Sequence, residues 1–128
     1  MAAEGPPFLG LRTAKYSARD IGAAREWYER VLGFGPYFDE PFYVGFNVGG
    51  YELGIVPDER AAADRPEAGV AYWGVASADA AYARLLSLGA TDHETIQDVG
   101  DGIRIGAVRD PFGNILGIIE NPHFAGGA

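Results

Sequence analysis

The stretch Arg109-Asp110-Pro111-Phe112-Gly113-Asn114-Ile115-Leu116-Gly117-Ile118-Ile119-Glu120-Asn121-Pro122 decides how this chain folds. Asp110-Pro111 opens a turn, Gly113-Asn114 can supply positive φ, and the β-branched run from Ile115 to Ile119 suits a buried strand. Pro122 closes it. The first half carries an echo, Val48-Gly49-Gly50-Tyr51-Glu52-Leu53-Gly54-Ile55-Val56-Pro57, and both copies contain Leu-Gly-Ile. Backwards from each copy runs the same order of elements: a strand, an amphipathic helix ending in Leu-Gly, further strands, a glycine turn, then the closing strand. The chain is one unit written twice.

Composition limits what such a chain can be. Its 128 residues give room for one domain with a real core. With 18 acidic against 10 basic side chains the net charge is −8, which repels phosphate backbones and anionic membranes. No basic cluster offsets this, so neither nucleic acid nor membrane is expected as a partner. There are no cysteines, hence no disulfides, thiolate nucleophiles or thiolate metal sites. The N-terminus Met-Ala-Ala-Glu-Gly-Pro-Pro has neither a basic nor an apolar signal region, and a cytoplasmic protein is the default expectation.

In order, residues 1 to 7 read as a disordered lead-in and Phe8 to Ser17 as a strand, with Thr13 and Lys15 on one face and Ala14 and Tyr16 on the other. Asp20 is a good N-cap. Ile21, Ala24, Trp27, Tyr28, Val31 and Leu32 follow at helical spacing, Glu26 and Arg30 pair on the outer face, and Gly33 ends the helix. The aromatic residues Phe34, Tyr37, Phe38, Phe42, Tyr43 and Phe46 form strands or loops whose rings are expected to fill the core. Val48 to Val56 completes a hairpin through Gly49-Gly50. Residues 58 to 68 are polar and proline-punctuated, a linker. Gly69 to Ala76 opens the second copy, Ser77 or Asp79 caps a helix carrying Ala81, Tyr82, Leu85 and Leu86, and Gly89 ends it. Thr91 to Gly100 and Ile103 to Val108 are further strands.

The reading is therefore α+β: two βαβββ modules, about 8–57 and 69–122, in one domain. An isolated module would leave a sheet face bare, so two must close on each other. A curved mixed sheet around a central cavity, with the helices outside, is the expected result.

These features resemble the vicinal oxygen chelate superfamily, which includes glyoxalase I, bleomycin resistance proteins and extradiol dioxygenases. The resemblance lies in Asp20 and Glu26 to Phe34 in the first module, and in Asp79 to Leu85, Leu88 to Ala90 and Asp110 to Asn114 in the second. It implies paired βαβββ modules, a homodimer, and in enzymatic members four metal ligands, typically His or Gln, Glu, His and Glu, on the first and last strands of each module. Spacing places Thr13, Gly54, Val70 and Gly117 there. An apolar valine and two glycines cannot hold a divalent metal, so no metal, no cofactor and no catalytic residue is assigned. The glycines are expected to leave room for a ligand.

By strand parity Lys15, Glu52 and Tyr72 share the faces of Thr13, Gly54 and Val70, and Phe46 is a further wall candidate. Either these groups orient a ligand or Glu52 and Lys15 simply pair across the sheet. His93 and His123 read as surface residues, Glu120 as a rim carboxylate, and Trp27 and Trp73 as core. The function expected is metal-independent binding of a small molecule, aromatic, amphipathic or cationic, in the manner of the antibiotic-sequestering members. A glyoxalase-like lyase, isomerase or dioxygenase with non-standard or no metal ligands is the alternative, and a purely regulatory or interaction module a third.

Overall fold

The computed structural model describes residues 7, 9–65 and 69–124. Nearly all of the expected lead-in, Phe8 and the end of the linker lie outside those residues. The first module runs β1 (Thr13–Ala18), α1 (Ile21–Leu32), β2 (Phe38–Glu40), β3 (Tyr43–Val48) and β4 (Tyr51–Pro57). The second runs β5 (Tyr72–Gly74), α2 (Ala78–Ser87), β6 (Thr91–Gly100), β7 (Ile103–Arg109) and β8 (Ile115–Glu120). A 3₁₀ turn at Ala62–Asp64 lies between them.

Local chemistry sets the element ends. The Asp20 carboxylate accepts from the Ala23 amide at 3.0 Å, and Gly33, at φ 86°, closes α1 in the left-handed conformation. Ser77 rather than Asp79 caps α2, its hydroxyl accepting from the Ala80 amide. β1 begins five residues later than expected, because Gly10 turns the backbone to φ 113° and the parallel ladder with β4 starts only at Thr13 opposite Glu52. On α1 the expected Glu26 and Arg30 pair is not formed. Arg25, on the flank nearer β2, instead reaches Glu29 at 3.0 Å, Glu26 at 3.7 Å and Asp39 at 3.5 Å.

The two modules repeat one topology, β1-β4-β3-β2 and β5-β8-β7-β6, with a parallel pair at one edge and antiparallel pairs elsewhere. These are two mixed four-stranded sheets, not one continuous sheet closed around a cavity. Three of the four edge strands offer little to pair with: β2 and β5 are three residues long, and the β6 ladder is broken by register shifts.

Alternation decides what is buried. Tyr16 and Ala18 of β1, Leu53 and Ile55 of β4, and Leu116 and Ile118 of β8 turn toward the helices and share one core with Trp27, Tyr28 and Leu85. The opposite face of each sheet is left to carry Thr13, Lys15, Glu52 and Gly54 in the first module, and Tyr72 and Gly117 in the second.

Candidate ligand-binding site

β1 and β4 run parallel with Thr13 opposite Glu52 and Lys15 opposite Gly54, so these four share the sheet face away from the helices. Across β3 the partner of Gly54 is Gly45, and the two form a floor without side chains. Two tyrosines cover it. The Tyr37 ring lies 3.2 Å from where a Gly45 Cβ would stand, and the Tyr43 hydroxyl fills the space a Gly54 side chain would need. The room expected over Gly54 is thus occupied by the chain itself.

Both phenols converge on Glu52. Tyr37 donates to Oε1 at 2.6 Å, and Tyr43 donates to Oε2. Of the two alternatives for Glu52, the pair with Lys15 is not formed, and Lys15 has no carboxylate within ion-pair distance among the described residues. Phenol hydrogen bonds rather than an ammonium satisfy Glu52 because Tyr37 and Tyr43 lie over the glycine floor beside it.

The electrostatics follow from these contacts. Hydrogen bonds from Tyr37 and Tyr43 hold the Glu52 carboxyl below its ordinary range, against a smaller opposing effect of burial. Burial first, then the hydrogen bond to Glu52, pushes the Tyr43 phenol up to about 12, and the Glu52 hydrogen bond leads in raising Tyr37. Beside the carboxylate opens a cavity of about 250 Å³ whose lining includes Arg12, Thr13, Tyr37, Asn47, Tyr51 and Glu52.

Sheet two repeats the plan more simply. A Cβ on Gly117 would lie 2.7 Å from the Ala71 carbonyl oxygen, 2.8 Å from the Tyr72 ring and 3.0 Å from Val70. The Tyr72 hydroxyl donates to Glu94 at 3.1 Å, which also accepts from Gln97. Thr13, Lys15, Glu52 and Gly54 therefore stand together on one sheet, and Val70, Tyr72 and Gly117 on the other. Phe46 belongs to neither. It pairs with Leu53, faces the helices and is fully buried against Phe34.

Nothing at the four family positions suits a divalent metal: Thr13 offers one hydroxyl, Val70 and the glycines none, and tyrosine rings cover both glycines. Among the described residues no three His, Asp or Glu side chains stand close enough to hold one. Glu120 is engaged elsewhere, accepting from the Ala78 amide at the start of α2. His93 and His123 are exposed, as expected.

Sequence reasoning missed Tyr37, Tyr43 and Glu94. For Tyr43 a signal existed, since Tyr43, Gly45 and Asn47 alternate against Val44, Phe46 and Val48 and must share the face of Gly54. Tyr37 stands outside any strand, so periodicity could not orient it. The expectation that the aromatic stretch fills the core holds for Phe46, whereas Tyr37 and Phe42 are 64% and 65% exposed.

Comparison with known proteins gives a consistent result. The model of the glyoxalase/bleomycin resistance protein/dioxygenase superfamily matches residues 10–118. A glyoxalase-related enzyme from Fulvimarina pelagi is similar over 90% of each chain, with 21% identity and a TM-score of 0.71. Lactoylglutathione lyase from Agrobacterium tumefaciens is similar over 93% of this chain and 100% of its own, with 22% identity and a TM-score of 0.71. A bleomycin resistance determinant encoded on the transposon Tn5 is similar over 89% and 99%, with 20% identity and a TM-score of 0.69. At these identities the likeness is one of fold. No curated protein matched the chain.

Proposed function

Because the chain belongs to the glyoxalase/bleomycin resistance protein/dioxygenase superfamily, we propose that it is a metal-independent binding protein that sequesters a small aromatic or amphipathic molecule on the open face of sheet one. The observation that carries this reading is the Glu52 carboxylate, held as an anion by Tyr37 and Tyr43 beside an open cavity. A fixed anion with aromatic neighbours favours a ligand bearing a cationic or hydrogen-bond-donating group on an apolar body.

The alternative of a lyase, isomerase or dioxygenase with non-standard or no metal ligands is less well supported. A general acid or base works best with a pKa near the operating pH. Here Glu52 is driven down and Tyr43 up, away from neutrality on both sides.

Tyr37, Phe38, Phe42, Val70 and Tyr72 are all more than a third exposed on or beside the two open sheet faces. Apolar exposure of this extent favours a partner surface, and a homodimer that covers these side chains is part of the proposal. No helix among the described residues is long and apolar enough to cross a membrane.

The test screens aromatic and cationic amphipathic compounds by thermal shift, on protein whose metal content has been measured by elemental mass spectrometry. A ligand of the metal-free protein that loses affinity in both Glu52→Gln and Tyr43→Phe is the expected result. Stoichiometric retained metal, or a ligand indifferent to both substitutions, would overturn the reading.

A further inference from the structure

A second cavity, of about 410 Å³, lies on the helix side of the sheets, where α1, α2 and strands of both modules meet. It is walled mainly by apolar side chains, among them Leu32, Phe34, Trp73, Ala81 and Leu85. Its size falls in the range of small-molecule sites, about 300–1,000 Å³.

The polar groups on its wall limit what can fill it. The Tyr28 hydroxyl donates to Asp110 at 2.6 Å, and Trp73 Nε1 donates to the Tyr16 hydroxyl at 2.9 Å. Neither hydrogen is left for a ligand. Arg84 differs. Its two terminal nitrogens donate to the Val31 and Arg30 carbonyls at 2.8 and 2.7 Å, but a guanidinium has five N–H groups, and Arg84 has no carboxylate partner among the described residues. Arg84 is exposed, so a positive charge that has the C-terminal carbonyls of α1 but no carboxylate as partners stands at the solvent-facing edge of an otherwise apolar cavity.

We propose that this cavity binds a monocarboxylic acid with an apolar body, the body against Leu32, Phe34, Trp73 and Leu85 and the carboxylate on Arg84. The guanidinium offers a carboxylate charge-assisted hydrogen bonds, which an alcohol of the same length cannot match. The site is separate from Glu52 and does not depend on the function proposed for that face.

The test is calorimetric titration of the intact protein with decanoate, decan-1-ol and decyltrimethylammonium. Decanoate should bind about tenfold tighter than the alcohol or better, and in Glu52→Gln, which lacks the anion of the open face, the ammonium should bind more weakly than either. Ala81→Leu, which fills part of the cavity on a helix that tolerates leucine, should weaken decanoate about tenfold. Arg84→Met should erase the preference for decanoate over decanol and Arg84→Lys should keep it, with melting curves reporting whether either variant loosens α1. Glu52→Gln should bind decanoate as the parent does. Equal affinity for decanoate and decanol, unchanged binding in Ala81→Leu, loss of binding in Glu52→Gln, or no binding by the parent would each overturn the proposal.

Discussion

The side-chain amide of Asn114 grips the backbone of Ser17 in both directions, accepting from its N–H at 2.9 Å and donating to its carbonyl at 2.8 Å. This ties the turn before β8 to the C-terminal end of β1 and so joins the two modules. Asp110 supports the grip. Its Oδ1 accepts from the amides of Phe112 and Asn114, and its Oδ2 from Asn114 Nδ2 and the Tyr28 hydroxyl. The Asp-Pro-Phe-Gly-Asn turn is a clamp between modules as well as the start of a strand.

Asn114→Ala should lower stability by about 2–3 kcal/mol, since both backbone groups of Ser17 lose their partner in a part-buried place. Asp110→Ala should cost about 3 kcal/mol or more, because Asp110 is only 3% exposed and its loss strands the buried Tyr28 hydroxyl together with two backbone N–H groups. Urea denaturation of the two variants checks both values, and a loss under about 1 kcal/mol for Asp110→Ala would remove the clamp from this account.

The two glycines of the Leu-Gly-Ile copies should respond differently to alanine. At Gly54 the new methyl meets the end of the Tyr43 side chain, which can swing away at the expense of its bond to Glu52. At Gly117 it meets the Ala71 carbonyl, which is backbone and is held in place by the hydrogen bond it accepts from the Gly117 amide at 3.1 Å. Gly117→Ala should therefore destabilise more, by about 1–3 kcal/mol, while Gly54→Ala should chiefly raise the Glu52 pKa. Thermal melts and a carboxylate NMR titration separate the two outcomes.

The Glu52 cluster gives stability a pH window. The folded pKa of Glu52 lies below its ordinary 4.5, so its contribution is present above that value and is lost as pH falls through the folded one. Tyr43 is raised from 10.0 to about 12, so its contribution is fully present below 10 and is lost as pH rises from there toward 12. Tyr43→Phe should flatten the alkaline decline and weaken the acid-side protection together. Chemical denaturation at stepped pH measures both limbs, and an unchanged alkaline limb in the variant would contradict the assignment.

Capping of α2 is shared between Ser77 and Glu120, which accept from the amides of Ala80 and Ala78. Ser77→Ala should cost about 1 kcal/mol. Glu120→Gln keeps an acceptor but removes a charge from the helix N-terminus, and should cost about 0.3–1 kcal/mol, less at high salt. Denaturation in low and high salt distinguishes the two.

The sequence alone determined the duplicated βαβββ plan, the helix ends at Asp20 and Gly33, a cap for α2 at Ser77 or Asp79, and which residues of β1, β4 and β8 turn inward. Caps, left-handed glycines and period-two alternation are local properties, fixed by the chemistry of a few consecutive residues. Parity correctly put Thr13, Lys15, Glu52 and Gly54 on one face. Phe46, expected as a wall residue, faces the helices instead, as its alternation with Gly45 and Asn47 along β3 dictates. What only the tertiary structure decided was the company each residue keeps. Glu52 faced Lys15 or a ligand on paper, and in the fold it meets Tyr37 from a loop and Tyr43 from a neighbouring strand. Asn114 reaches Ser17 across 97 residues of chain, and the modules form two sheets with a shared core rather than one closed sheet. Periodicity specifies a face, but strand register and loop path specify its neighbours, and neither is written in any single stretch of the chain.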